Sequence, residues 1–198
     1  MKIYTSDQCD EVVEAFKNHN VLAIPTDTVY GVGVLYGDIE DLNRLKHAKH
    51  RPETKPIPMM VSNIEQMKQI AKVDQRTKKL VKAFLPGPLT LILPVSDSLN
   101  LEFTNGKETV AVRIPDEEFI LKVIDELNTP LCVSSANVSG KLAALSLKEV
   151  KENLPNIDGA VKGVCKEMQA STIVDCTQEE LRILREGPIP LNQLTKSL

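Results

Sequence analysis

Residues 21–31 read VLAIPTDTVYG, and the two halves of that stretch want different surroundings. Val21 to Ile24 is an apolar run of strand length, and Pro25 ends it, because a proline has no N–H to give a neighbouring strand. Thr26, Asp27, Thr28 and Tyr30 then place two hydroxyls, a carboxylate and a phenol just past the strand. Side chains at the ends of strands in an α/β sheet converge on ligands. Thr, Asp and Gly are also ordinary turn residues, and a plain turn is the competing explanation.

The pattern continues outward on both sides. Upstream, Thr5 or Ser6 is placed to cap a helix whose Val12, Val13 and Phe16 share one face. Downstream, Gly31-Val32-Gly33 suggests a dinucleotide loop, but Gly37 falls one residue late for G-x-G-x-x-G, and no G-x-x-x-x-G-K-[ST] loop occurs. The glycines are therefore read as permitting a tight turn. Asp38 starts a second helix, with Ile39, Leu42 and Leu45 at helical spacing, which delivers the chain to KHRPETKP (49–56).

IPMMV (57–61) reads as a strand, Ser62-x-x-Glu65 as a capping box, and a helix through Leu80, Val81 and Phe84 stops at Pro86-Gly87-Pro88. LTLILPV (89–95) and TVAVRI (109–114) are strands, EEFILKVIDELN (117–128) a helix, and PLCVSSANVSG (130–140) a buried strand entering a polar loop. Ser146-x-x-Glu149 caps another helix, STIVD (171–175) and LRILRE (181–186) are late strands, and a short helix follows Pro190. This interspersion predicts one α/β domain over 1–198, with a mixed or mainly parallel sheet flanked by helices.

Composition removes several classes of function. The net charge of -3 gives no global basic field of the kind a dedicated nucleic-acid binder carries, so any anion site is local. Cys9, Cys132, Cys165 and Cys176 form no C-x-x-C pair, and the histidines have no zinc-like spacing, so no structural metal site is expected. No signal-peptide core or membrane-spanning apolar run is present, and the expected compartment is the cytoplasm, with reduced thiols.

Local anion sites are easy to nominate. Lys49, Arg51 and Lys55 lie within one prolyl loop, where their mutual repulsion would make a bound polyphosphate favourable; a solvated basic loop is the alternative. Ser134, Ser135 and Asn137 sit where a strand ends, able to orient a substrate or merely to cap a turn. Arg113, in the otherwise apolar VAVRIP, needs an anionic partner, either an internal carboxylate or a ligand, and Arg185 in ILREG poses the same question.

PTDTVYG, the K-x-R of Lys49 and Arg51, PGPLT (86–90), TVAVRIP (109–115), SSANVSG (134–140), STIVD and LREG (184–187), in this order, resemble the YrdC/Sua5 family of threonylcarbamoyl-AMP synthases. The resemblance runs almost end to end. It implies a twisted mixed α/β fold with a large, positively lined cavity, and a reaction that converts L-threonine, bicarbonate and ATP, with Mg2+, to threonylcarbamoyl-AMP and pyrophosphate. That product serves N6-threonylcarbamoyladenosine formation in tRNA, and tRNA threonylcarbamoyl-transferase proteins would act downstream.

By matching segment, the resemblance assigns Thr28, Arg113 and Ser171 to threonine or its carbamoyl group. It assigns Arg51, Lys55, Thr109, Ser135 and Arg185 to the nucleotide, and Lys49, Arg51, Ser135 and Asn137 to a K-x-R and S-x-N catalytic tetrad. Met60 departs from a histidine common in the family, and Ala143 from a serine. The length matches the short form, without the C-terminal domain of Sua5-type members. Besides a family paralogue of weak or unassigned activity, or with another carbamoyl or adenylyl transfer activity, two rivals remain. One is an RNA-binding module, for which 24 Lys and Arg against 27 Asp and Glu predict only weak, salt-sensitive binding. The other is carbamoyl transfer as in YrdC-like domains of hydrogenase maturation proteins.

Overall fold

The computed structural model describes all of residues 1–198. The chain runs β1 (Lys2–Tyr4), α1 (Cys9–Lys17), β2 (Leu22–Ile24), β3 (Gly31–Leu35), α2 (Ile39–Ala48), β4 (Met59–Met60), α3 (Ile64–Ile70), α4 (Gln75–Phe84) and β5 (Leu89–Pro94). A 3-10 turn at Leu101–Thr104 leads to β6 (Thr109–Arg113), α5 (Glu118–Leu127), β7 (Leu131–Ser135), α6 (Leu147–Asn153), β8 (Gly159–Val161), β9 (Thr172–Asp175), β10 (Arg182–Arg185) and α7 (Leu191–Lys196).

All ten strands join one mixed sheet in the order β1-β8-β2-β3-β7-β4-β6-β5-β9-β10. Apolar side chains fill both of its faces. A larger core holds Tyr30, Leu42, Met67, Leu80 and Leu91, while a smaller one packs α1 and α5 together through Val12, Phe16, Ile120 and Ile124. Residues buried from both sides read as continuous apolar runs, which is why VLAI and LTLIL were legible as strands.

The glycines of Gly31-Val32-Gly33 are not in a tight turn as expected. They lie inside β3, between antiparallel β2 and β7. A Cβ on Gly33 would stand 2.7 Å from the Cys132 carbonyl oxygen and from Val133 Cγ2, so the sheet needs glycine there for close packing, not for turning. Two helix starts also differ. Gln8, not Thr5 or Ser6, occupies the N-cap of α1, and its Oε1 accepts from the Thr5 N–H and hydroxyl, both at 3.0 Å.

At α3 the box predicted from Ser62 and Glu65 is shifted by one: Asn63 Oδ1 accepts from Glu65 N and Gln66 N, and Gln66 Oε1 accepts from Ser62 N. Asn63 offers a better-placed acceptor than Ser62, whose hydroxyl instead accepts from the Asn63 amide. Ser146 caps α6 as read, its hydroxyl accepting from Glu149 N, while the Glu149 carboxylate accepts from the N–H of Leu145, one residue before the cap. Of IPMMV, only Met59 and Met60 pair as β4.

Candidate active site

Eight separated stretches, at 26–31, 51, 58–60, 90, 113, 133–135, 170–173 and 185, meet in one region of the sheet. The cavity between them, about 170 Å3, is lined by Thr28, Arg51, Arg113, Ser135, Ser171 and Arg185, together with Ser134, Thr90 and an apolar patch that includes Met60, Val133 and Ile173. It is more compact than the large cavity the resemblance implies. Width comes from an adjoining trough of about 840 Å3 that shares Val29 and Ala170 with it and contains Ala143. A cleft of about 560 Å3 between α2 and residues 153–158 holds none of the nominated residues.

Arg113 organises one wall. It is 5% exposed, at the end of β6, where Met60 of β4 stands opposite it in register. Its Nη2 donates to Asp27 Oδ1 at 2.5 Å, Nη1 to Thr28 Oγ1 at 2.8 Å, and Nε to the Gly87 carbonyl at 3.0 Å. An internal carboxylate therefore answers the question the sequence left open, and the guanidinium still lines the cavity. Burial pushes its pKa down while Asp27 opposes the shift; a guanidinium stays charged regardless. With three of five N–H donors used, Arg113 keeps two for a ligand. Asp27 Oδ2 is buried without a hydrogen-bond partner.

The opposite wall is a relay of hydroxyls. Arg185 Nη2 donates to Ser171 Oγ at 3.0 Å and its Nε to the Ser171 carbonyl at 2.9 Å, while Ser171 Oγ lies 2.8 Å from Thr90 Oγ1. Thr90 sits in the PGPLT segment, but sequence reasoning gave it no role; the motif was visible and the pairing with Ser171 was not. Asp27 was nominated within PTDTVYG as a ligand-facing or turn carboxylate, whereas its carboxylate is paired with Arg113 across the sheet.

At the cavity mouth, Arg51 is half-buried and curls back on its own loop, Nε donating to the Lys55 carbonyl at 3.1 Å and Nη2 to the Pro56 carbonyl at 2.7 Å. Burial pushes its pKa down. The remaining terminal nitrogen is unbonded and available to an anion. Ser135 donates its proton to Asn137 Oδ1 at 2.5 Å, and the Asn137 amide donates to the Val138 and Lys141 carbonyls at 2.8 and 3.0 Å, which closes the SSANVSGK loop on itself.

Three nominated residues do not reach the cavity lining, and Asn137 stands behind it. Lys49, at the C-cap of α2, is 1% exposed, and its ammonium donates to the carbonyls of Ser135 and Asn137. In this structure its ammonium is engaged with the backbone of the S-x-N loop. Burial, followed by the Arg51 charge, brings its pKa down to about 7. Lys55 is exposed near the end of its loop. Thr109 begins β6, paired with Pro94, four residues from Arg113 and hence roughly 13 Å away along the strand.

No Asp or Glu lines the cavity. A protein-held Mg2+ is bound through carboxylates, so these residues do not fit a resident ion. The one His/Asp group with ligand-like spacing, His19, Asp38 and Asp41, lies at the start of α2, where Arg44 already approaches Asp41 to 3.6 Å. All four cysteines are buried and free, and no helix is long and apolar enough to cross a membrane.

A family model described as "Telomere recombination", Sua5/YciO/YrdC, matches residues 14–187. The threonylcarbamoyl-AMP synthase of Pyrococcus abyssi is 37% identical over 182 residues, covering 89% of this chain and 53% of that protein. The Bacillus subtilis enzyme of the same name is 33% identical over 201 residues, covering 98% and 57%. The chain thus spans little more than half the length of these curated relatives. A crystal structure of P. abyssi Sua5 complexed with L-threonine superposes with a TM-score of 0.94 at 32% identity, over 100% of this chain and 61% of that one. The matched span takes in every segment that builds the cavity, from Thr28 to Arg185, and this chain belongs to the Sua5/YciO/YrdC family.

Proposed function

We propose that this chain condenses L-threonine, bicarbonate and ATP to threonylcarbamoyl-AMP and pyrophosphate, working in the cytoplasm and supplying tRNA threonylcarbamoyl-transferase proteins. One observation carries the reading: three guanidinium groups and seven hydroxyls from separate segments meet in a carboxylate-free cavity the size of an amino acid, open to a trough, edged by Lys141, Glu149 and Glu152, wide enough for a nucleotide. The names of the relatives and the threonine-bound structure of one of them support it.

In this reading the threonine amine adds to bicarbonate, losing water, to give a carbamate. A carbamate oxygen then attacks the α-phosphorus of ATP, and the bond to the leaving pyrophosphate breaks. Both reactants are anions, so the obstacle is repulsion. Arg113, held rigid by Asp27 and Thr28, would take the threonine carboxylate with its two spare donors, beside Ser171. Arg185 and Arg51 would take the charge that grows on the phosphates, as preorganised donors do. Lys55 would reach the outer phosphates from its exposed loop. Mg2+ would enter with ATP as part of that substrate.

No side chain here is an evident nucleophile, and positioning supplies much of the acceleration. Incubation with Mg-ATP, labelled bicarbonate and a panel of amino acids tests the reading. Pyrophosphate and a labelled adenylate should form with threonine, and less well with serine, whose missing methyl is worth about 1–3 kcal/mol in a shaped pocket. Absence of both products above a no-threonine control would end it.

A further inference from the structure

Two side chains from outside reach the loop that carries Arg51 and Lys55: Lys46 pairs with the Glu53 carboxylate, and Asn105 bonds the loop's backbone. The other hydrogen bonds of residues 51–56 are local: Arg51 N donates to the Lys46 carbonyl at the end of α2, Lys55 N to the Pro52 carbonyl, and the Arg51 guanidinium to the Lys55 and Pro56 carbonyls. Asn105 Nδ2 donates to the Glu53 carbonyl at 2.5 Å. Two cations on a short loop beside buried Lys49 repel one another, so the loop needs such a tether to keep one shape without its ligand.

Asn105 is well supported for that task. It follows the 3-10 turn in the left-handed region, φ 55° and ψ 42°, a conformation that asparagine tolerates better than most residues. The Thr104 hydroxyl faces the Leu101 and Lys107 carbonyls, and Phe103 stacks on Tyr36 with ring centroids 4.4 Å apart, which seats the turn against the strand end after β3. Asn105 Oδ1 accepts from the Lys46 ammonium at 2.8 Å, and Lys46 is itself 4% exposed, with Glu53 Oε2 3.6 Å away. Because Lys46 only donates and the Glu53 carbonyl only accepts, the orientation of the amide is fixed by its partners.

We propose that Asn105 is a positioning residue for the anion-binding loop, holding Arg51 and Lys55 where the nucleotide's phosphates arrive. The kinetic part of this proposal rests on the synthase reading; the structural part does not.

Asn105→Asp is the discriminating variant, since it keeps the Lys46 contact and tolerates the left-handed backbone but has no N–H for Glu53. Asn105→Gly keeps the backbone and removes both contacts, and serves if the aspartate variant does not fold. Hydrogen exchange should speed up in a peptide spanning residues 46–59 and stay unchanged around Arg113. KM for Mg-ATP should rise about tenfold, the loss expected of one ordered hydrogen bond, with KM for threonine within twofold of wild type. Exchange and KM both unchanged would overturn the proposal. Faster exchange with an unchanged KM for Mg-ATP would overturn the positioning role and leave only a structural tether. If the wild type itself makes no adenylate, the synthase reading fails, and the exchange experiment still decides whether the tether exists.

Discussion

Replacing Arg113 by methionine should be the most damaging single change to the fold among the site residues. Arg113 and Asp27 are 5% and 2% exposed, and their charges meet at 2.5 Å. Asp27 Oδ2 already lacks a hydrogen-bond partner, so Arg113→Met would leave a buried carboxylate with neither oxygen answered, while Thr28 and the Gly87 carbonyl also lose a donor. Breaking a buried pair from one side costs about 3–5 kcal/mol. For a chain of this size that corresponds to a fall in Tm of roughly 6–20 °C.

The cost should shrink when the charge is removed genetically: Asn at position 27 in the Arg113→Met background should restore about 2 kcal/mol or more, a coupling that a double-mutant cycle isolates. Circular-dichroism melts and urea titrations of wild type, both single variants and the double variant provide the measurement. An Arg113→Met protein melting within about 2 °C of wild type, or a double variant no more stable than Arg113→Met, would refute the account of this pair as a buried, mutually dependent unit.

At Arg51, alanine should cost about 2–4 kcal/mol of transition-state stabilisation, read as a fall in kcat/KM for Mg-ATP, with lysine retaining part of the activity; steady-state kinetics of folded variants checks this. Lys49 should shape the alkaline stability profile. Its folded pKa of about 7 lies below its usual 10.5, so between those values the unfolded chain binds more protons, and this group's contribution to stability should rise with pH from about 7 to 10.5 and be least favourable below 7. Lys49→Met should abolish that rise in urea titrations across the window while leaving two buried carbonyls unanswered. Gly33→Ala should destabilise by about 1–3 kcal/mol, read from the urea midpoint, because its Cβ has no room beside Cys132 and Val133.

The elements that the sequence revealed are those whose apolar pattern is set by burial on two faces or on one helical stripe: β2, β5, β6, β7, α2 and α5 all lie where their periodicity placed them. Those that escaped are short or glycine-rich. β3 hides behind two glycines whose purpose is close approach to Val133, and β1 and β8 have three residues each, stabilised by each other across most of the chain. The site divides in the same way. Thr28, Arg51, Arg113, Ser135, Ser171 and Arg185 converge as their segments suggested, because motif residues beside strand ends share the sheet's edge. Lys49 and Asn137 carry the motif yet serve the backbone of the S-x-N loop, and nothing in a residue's type says whether its polar end faces ligand or carbonyl. Thr109 shares a strand with Arg113 but begins it, and strand length separates the two. Asp27, Thr90 and Asn105 gain their meaning only from partners far along the chain.

The order of strands also dictates a schedule for synthesis. Lys2 to Tyr4 pair with residues 159–161, and Arg185 comes from β10, the outermost strand, which rests on β9 alone. A nascent chain that has already emerged through Arg113 therefore still has an unpaired first strand and an open wall opposite the amino-acid site. Contacts of such long sequence separation form late and slowly. The growing polypeptide thus presents aggregation-prone strand edges to the ribosome's surroundings until residues 159–185 have emerged, and anion-binding competence waits for the strand that carries Arg185.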